Sequence, residues 1–231
     1  MHTLSIVSDF VCPWCFIGKA RLDTALAQMA PEQRPELHFL PFKLNPSMPE
    51  EGMARADYRE QKFGSKERSD ELDAQVREAA EQSGVSINHD AMTRTPNTIK
   101  AHMLMAMASS LKSDTGNASV TLANLLFEAY FTQGLDIGED AVLLDLAAKA
   151  GLPADVVLAA LSDLELREAT NSLAEGLASQ GVNGVPTLLL DQHFLISGAV
   201  PSDDLLRIIP EAIDILENAK EASGNTSEAG G

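Results

Sequence analysis

Residues 3–9 alternate and favour extended chain, after which the apolar period changes: Leu22, Ala25, Leu26 and Met29 fall at i, i+3, i+4 and i+7, one face of a helix. Pro13 stands near the start of that helix, where a missing N–H has no intrahelical partner, and Pro31 marks its end. Residues 37–42 form a second short apolar run. Strand, helix and strand together have the size of a β-α-β unit with parallel strands.

From Asn45-Pro46 onward helical periods replace strands. Residues 53–84 are charged and weakly amphipathic and predict one or two exposed helices broken near Phe63-Gly64-Ser65. Thr95-Pro96 offers a cap and a first-turn proline for a helix in which Ile99, Met103, Met107 and Leu111 recur every fourth residue. Leu122, Leu125, Leu126 and Ala129 mark the next helix, and residues 141–150 another that ends at Gly151, a C-terminal cap. Pro153 restarts a short helix, and Leu166, Ala169, Leu173 and Leu177 mark a longer one that stops at Gly181.

Strands then return. Residues 186–190 and 194–196 are joined by Asp191-Gln192-His193, a hairpin in which glutamine is a poor choice where a two-residue turn needs positive φ. Ser202 caps a last helix carrying Leu205, Leu206, Ile209, Ile213 and Leu216, and Pro210 is expected to kink it or limit its regular part. No internal repeat is visible. Removing the helical stretch leaves β-α-β followed by β-β-α, an α/β chain with a thioredoxin-like sheet and a large all-helical insertion. The expected division is residues 1–45 and 166–220 for the sheet domain, 46–165 for the insertion and 221–231 for a Gly- and Ser-rich disordered tail.

At 231 residues and 45% hydrophobic, the chain can bury a core without staples. Its formal charge of -17 argues against nucleic acid and anionic membrane as partners, since both need clustered Lys and Arg. The opening Met1-His2-Thr3-Leu4-Ser5-Ile6 lacks a basic segment followed by an apolar run, so a cytoplasmic location is expected. Thiols there are kept reduced, and a cysteine pair is catalytic or metal-binding rather than structural.

The chain has two cysteines, Cys12 and Cys15, in Cys12-Pro13-Trp14-Cys15. A Cys-X-X-Cys between a strand and a helix reads as a redox dithiol. Unperturbed, about 3% of a thiol is thiolate at pH 7, and the thiolate is the nucleophile. The helix N-terminus and the motif itself lower the pKa of Cys12, while Cys15, one turn inside, is expected to be the buried resolving partner. Pro13 stiffens the helix start and Trp14 brings no cation, which predicts a mild oxidant. Half a zinc site and two inert buried thiols are the competing readings; the first lacks a second pair, and His2, His38, His89, His102 and His193 show no ligand spacing near it. No metal is therefore expected. His102 and His193 read as surface or satisfied core residues, and Met103, Met105 and Met107 as core packing.

The segment Ser8-Asp9-Phe10-Val11-Cys12-Pro13-Trp14-Cys15-Phe16-Ile17-Gly18-Lys19 closely resembles the active-site segment of DsbA-like oxidoreductases of the FrnE type. The likeness continues through Pro41-Phe42-Lys43-Leu44-Asn45-Pro46, Asn97-Thr98, Ala101-His102, Ala129-Tyr130-Phe131 and Gly181-Val182-Asn183-Gly184-Val185-Pro186. The resemblance implies that Pro186 is a cis-proline opposite the cysteines, that the Val185 backbone meets an extended substrate, and that the insertion forms a lid. It also implies thiol-disulfide oxidoreduction or disulfide isomerisation on protein or low-molecular-weight disulfides. No cofactor beyond the dithiol is expected, with glutathione as a possible co-substrate. Glutathione-dependent isomerases of hydroxychromene carboxylate type and kappa-class transferases resemble the chain in architecture but typically carry serine at the position of Cys12. They supply the alternative reading, and a chaperone-like binding module is a third.

Overall fold

A computed structural model describes residues 1–111 and 118–228. The chain runs β1 (Thr3–Ser8), α1 (Pro13–Gln28), β2 (Glu36–Pro41), β3 (Met53–Ala54), α2 (Arg55–Phe63), α3 (Lys66–Gln82) and β4 (Arg94–Thr95). It continues as α4 (Ile99–Ser110), α5 (Ala118–Phe131), α6 (Asp140–Lys149), α7 (Ala154–Ser162) and α8 (Leu164–Ser179). Strands β5 (Thr187–Leu190) and β6 (His193–Ser197) and the helix α9 (Ser202–Glu228) complete it. The main sheet has the order β2-β1-β5-β6. It is a thioredoxin-like fold with a helical insertion, as the pattern predicts.

Strand β1 lies at the centre, parallel to β2 with Ser8 beside Pro41, and antiparallel to β5 with Leu4 beside Leu190. Residues 4–8 are all buried, as a strand covered on both faces requires. On one face Leu4, Ile6, Phe39, Leu188 and Leu190 join a core with Ile17, Leu22 and Leu26 of α1, Leu205 and Ile209 of α9, and Leu104, Leu122 and Phe127 of the insertion. On the other, Val7 packs with Leu177 of α8 and Val182, flanked by Leu40 and Leu189. Met103, Met105 and Met107 are core residues, in line with their sequence reading.

Helix α1 is tied down by two cations. Lys19, almost wholly buried, binds Asp23 at 2.6 Å and Asn124 Oδ1 of α5 at 2.9 Å. Arg21 donates to Ser83 Oγ after α3 at 2.8 Å and to the Ala199 carbonyl at 2.6 Å. Because β1 enters the sheet centre and α1 is anchored on both flanks, the turn between them is held from three sides.

Three expectations are corrected. The insertion is not all-helical: Met53 and Ala54 pair with Thr95 and Arg94 in a two-stranded antiparallel ladder. Thr95 is spent in that ladder, so the helix expected from Thr95-Pro96 starts at Ile99, whose N–H is accepted by Asn97 Oδ1 at 3.0 Å. At the other end α9 passes through Pro210 and continues to Glu228, into the stretch expected to be a disordered tail. Extending an existing helix adds a hydrogen bond per residue without a new nucleus. Residues 229–231 of that tail lie outside the described residues.

The hairpin between β5 and β6 turns on two residues of positive φ, Asp191 at 47° and Gln192 at 70°. Asp191 secures the turn: its carboxylate accepts from the Thr3 N–H at 2.9 Å and pairs with His2 at 2.9 Å and Lys220 at 3.2 Å. These partners, the Thr3 N–H first, hold its pKa down to about 2. A depressed carboxyl stabilises the fold fully above its unfolded value, about 3.9, and loses that contribution as pH falls through the folded value. Asp191→Asn keeps an oxygen for Thr3 and tolerates positive φ. It is expected to lower the urea-unfolding free energy by about 1 kcal/mol at pH 7, with the gap to the parent shrinking steadily once the pH drops below about 4.

Candidate active site

After β1 the chain turns through residues 9–11, closed by the Cys12 N–H donating to the Asp9 carbonyl at 3.1 Å. Cys12 is then the N-cap of α1, with extended φ of -90° and ψ of 112°, and Pro13 is the first helical residue. The Cys12 carbonyl accepts from the N–H groups of Cys15 at 3.0 Å and Phe16 at 3.3 Å. Both thiols are free and buried, Cys12 at 4% exposed and Cys15 at 2%. Trp14 between them is 40% exposed, so the motif presents an indole to solvent beside a nearly covered sulfur.

The two thiols are driven in opposite directions. The pKa of Cys12 is lowered, first by the hydrogen bond from Cys15, against the opposing effect of burial, with the Cys15 and Trp14 N–H groups adding to the lowering. The Asp9 carboxylate works against it by repulsion. Cys15 is raised well above the ordinary thiol range, first by burial and then by its hydrogen bond and charge interaction with Cys12. Of the two sulfurs Cys12 is therefore the more readily ionised, and Cys15, the harder to ionise, offers its S–H to Cys12.

The Val185-Pro186 bond is cis, and the Val185 carbonyl lies 3.7 Å from Cys12 Sγ, close enough to accept from the thiol when it is protonated. The structure thus brings together all six residues that the sequence singles out: Cys12, Pro13, Trp14, Cys15, Val185 and Pro186. Behind the motif Asp9 is wholly buried; its Oδ2 accepts from the Leu44 N–H at 2.7 Å, and its Oδ1 faces His102 Nε2 at 3.5 Å. His102 donates from the same nitrogen to the Phe42 carbonyl at 3.1 Å, which makes it a satisfied core residue, while His193 is exposed. Asp9 escaped the sequence reading. Its signal there was a lone acid between the apolar strand and Phe10-Val11, at a place where an uncompensated charge would not be buried.

The insertion wraps the motif in aromatic rings. Phe10 meets His102 at 5.2 Å and Phe127 at 4.9 Å between centroids, and Phe16 stacks on Phe127 at 5.7 Å and Phe131 at 5.5 Å. Among the described residues, no three His, Cys, Asp or Glu side chains are grouped to hold a metal ion, and no helix is long and apolar enough to cross a membrane.

A Cys-X-X-Cys pair at the start of the helix that follows the central strand, faced by the Val185-Pro186 segment just before β5, is the arrangement of a thioredoxin-fold domain. The chain belongs to the DSBA-like thioredoxin domain family, whose pattern matches residues 3–209. It is 25% identical over 201 residues to the Bacillus subtilis (strain 168) protein YwbO, an alignment covering 87% of this chain and 92% of that one. The crystal structure of a probable DsbA oxidoreductase, SCO1869 from Streptomyces coelicolor, superposes with a TM-score of 0.81 at 25% identity, covering 93% of this chain and 91% of that one. The cytosolic disulfide reductase DsbM from Pseudomonas aeruginosa, in a structure with GSH, shares the fold with a TM-score of 0.60 at 18% identity, covering 95% of this chain and 99% of that one.

Removing the thiol donor tests the division between the sulfurs. Cys15→Ala is expected to raise the Cys12 pKa, read from thiolate absorbance near 240 nm against pH, while Cys15→Ser, which still offers an O–H, raises it less. Asp9→Asn is expected to move it the other way, because the repulsion is gone.

Proposed function

We propose that the chain is a thiol-disulfide oxidoreductase in which Cys12 is the nucleophile and Cys15 the resolving cysteine. The observation that carries this reading is the opposite drive on two buried thiols one turn apart, with the lowered one at the helix start and under the Val185 carbonyl. Membership of the DSBA-like family supports the general class.

In the reducing direction the Cys12 thiolate attacks one sulfur of a substrate disulfide. A Cys12–substrate disulfide forms, and the other substrate sulfur leaves as a thiolate that takes up a proton. Cys15 then loses its proton and attacks Cys12 Sγ, forming the Cys12–Cys15 disulfide and releasing the second substrate thiol. Two electrons pass from the protein dithiol to the substrate. A low-molecular-weight thiol, two equivalents per turnover, restores the dithiol, and glutathione fits that part; the structural likeness to a disulfide reductase solved with GSH supports this choice. In the oxidising direction the same steps run backwards. Isomerisation needs only the first attack, followed by attack of a different substrate thiolate on the mixed disulfide, which forms the new substrate disulfide and releases the Cys12 thiolate. Substrates are disulfide-containing proteins or low-molecular-weight disulfides, and the cell compartment that suits a reduced dithiol is the cytoplasm.

Cys12→Ser is expected to reduce disulfide exchange to the uncatalysed rate. Cys15→Ser is expected to accumulate mixed disulfides at Cys12 that dithiothreitol releases, visible as mass adducts. A Cys12→Ser protein that exchanges disulfides at the parent rate contradicts the assignment. A Cys15→Ser protein that turns over a small electrophile in a glutathione-saturable way favours the isomerase or transferase reading instead.

A further inference from the structure

Resting on the dithiol reading above, we propose that Gly18 is a positioning residue that seats the Val185-Pro186 segment against Cys12, with Arg21 holding the other end of the same seat. Gly18 lies inside α1, where helix propensity alone favours alanine. A Cβ at this position would lie 2.8 Å from Pro186 Cγ, with Ala199 Cα and Cβ at 3.5 and 3.6 Å. The atom it would strike belongs to a closed ring, which cannot swing aside as the tip of a long side chain can. Adding one methyl group therefore pushes the segment off the helix. Gly176, inside α8, has open space around the same point, so close approach is a property of Gly18 and not of helical glycines in this fold.

The segment is fastened at further points. The Pro186 carbonyl accepts from the Gly198 N–H at 2.8 Å, and the next residue, Ala199, gives its carbonyl to Arg21 at 2.6 Å. Gly18 and Arg21 are three residues apart and share a helix face. Helix α1 thus carries Cys12 at its start and, about two turns on, grips both Pro186 and Ala199. The distance from Cys12 Sγ to the Val185 carbonyl is governed by contacts of α1 itself, one of which, Arg21, also reaches Ser83 of the insertion.

Two consequences follow for the reaction. A carbonyl within reach of the Cys12 S–H favours the protonated thiol, so its withdrawal makes the thiolate easier to form. An extended substrate that pairs with the Val185 backbone loses its register with the sulfur, and the loss falls on binding. The titratable groups facing Cys12, Asp9 and Cys15, stay in place throughout.

The test measures thiolate absorbance against pH, together with steady-state kinetics on a peptide disulfide. Gly18→Ala is expected to lower the Cys12 titration midpoint and raise KM at least about tenfold. Gly176→Ala leaves both at parent values while raising Tm. On a Pro186→Ala background, adding Gly18→Ala produces no further change in the midpoint, because the ring it would strike is gone. A Gly18→Ala protein with the parent midpoint and KM overturns the proposal. If that variant does not fold, Arg21→Met decides by the same titration: a lowered midpoint supports the seat, and an unchanged one overturns it. Absence of disulfide exchange in the parent protein would remove the dithiol reading, while the titration would still decide the role of Gly18.

Discussion

Two sulfur atoms are withdrawn from water, and one of them nevertheless ionises more readily than an ordinary thiol. Burial by itself raises the pKa of both thiols, so the difference between Cys12 and Cys15 is made by local donors: the Cys15 S–H and the first N–H groups of α1 all reach toward Cys12. Those donors exist only because the strand ends at Ser8, the chain turns tightly, and Cys12 falls on the N-cap. One residue earlier or later, the same motif would point its donors at the wrong atom. Pro13 fixes the phase, since it is tolerated in the first turn and not in the interior.

The rest of the fold serves that placement. Cys12 meets Val185 across 173 residues of chain, and the meeting is arranged by β1 pairing with β2 on one side and β5 on the other. The insertion occupies the chain between β2 and β5, and its aromatic residues close over Phe10 and Phe16 on either side of the motif. Asp9 adds a counterweight: a buried carboxylate, held by the Leu44 N–H and near His102, limits how far the thiolate is favoured.

Much of this was legible in the residues. The change of apolar period from two to near four located β1 and α1, the cysteine spacing located the dithiol, and the break at Phe63-Gly64-Ser65 separates α2 from α3. What periodicity does not carry is pairing between distant or very short segments. The ladder of Met53-Ala54 with Arg94-Thr95 is two residues long on each side and has no period to detect, and it also displaced the start of α4. The Asp191-Gln192 turn defied turn preference because Thr3, His2 and Lys220, far away in sequence, secure Asp191. The opposition of Pro186 to Cys12 came from family resemblance, since nothing in a proline's own neighbours says which strand end it will face. The value of Gly18 is a contact distance and leaves no trace in composition.

The central claim, that Cys12 is the more acidic and more reactive sulfur of the reduced protein, is tested most directly by alkylation. Iodoacetamide modification is followed across a pH series, and each cysteine is read separately by peptide mass. The account predicts rapid modification of Cys12 with a midpoint below the ordinary thiol value and a Cys15 that stays unmodified until high pH. Equal labelling of the two cysteines, or a Cys12 that reacts only above the ordinary thiol range, would contradict it.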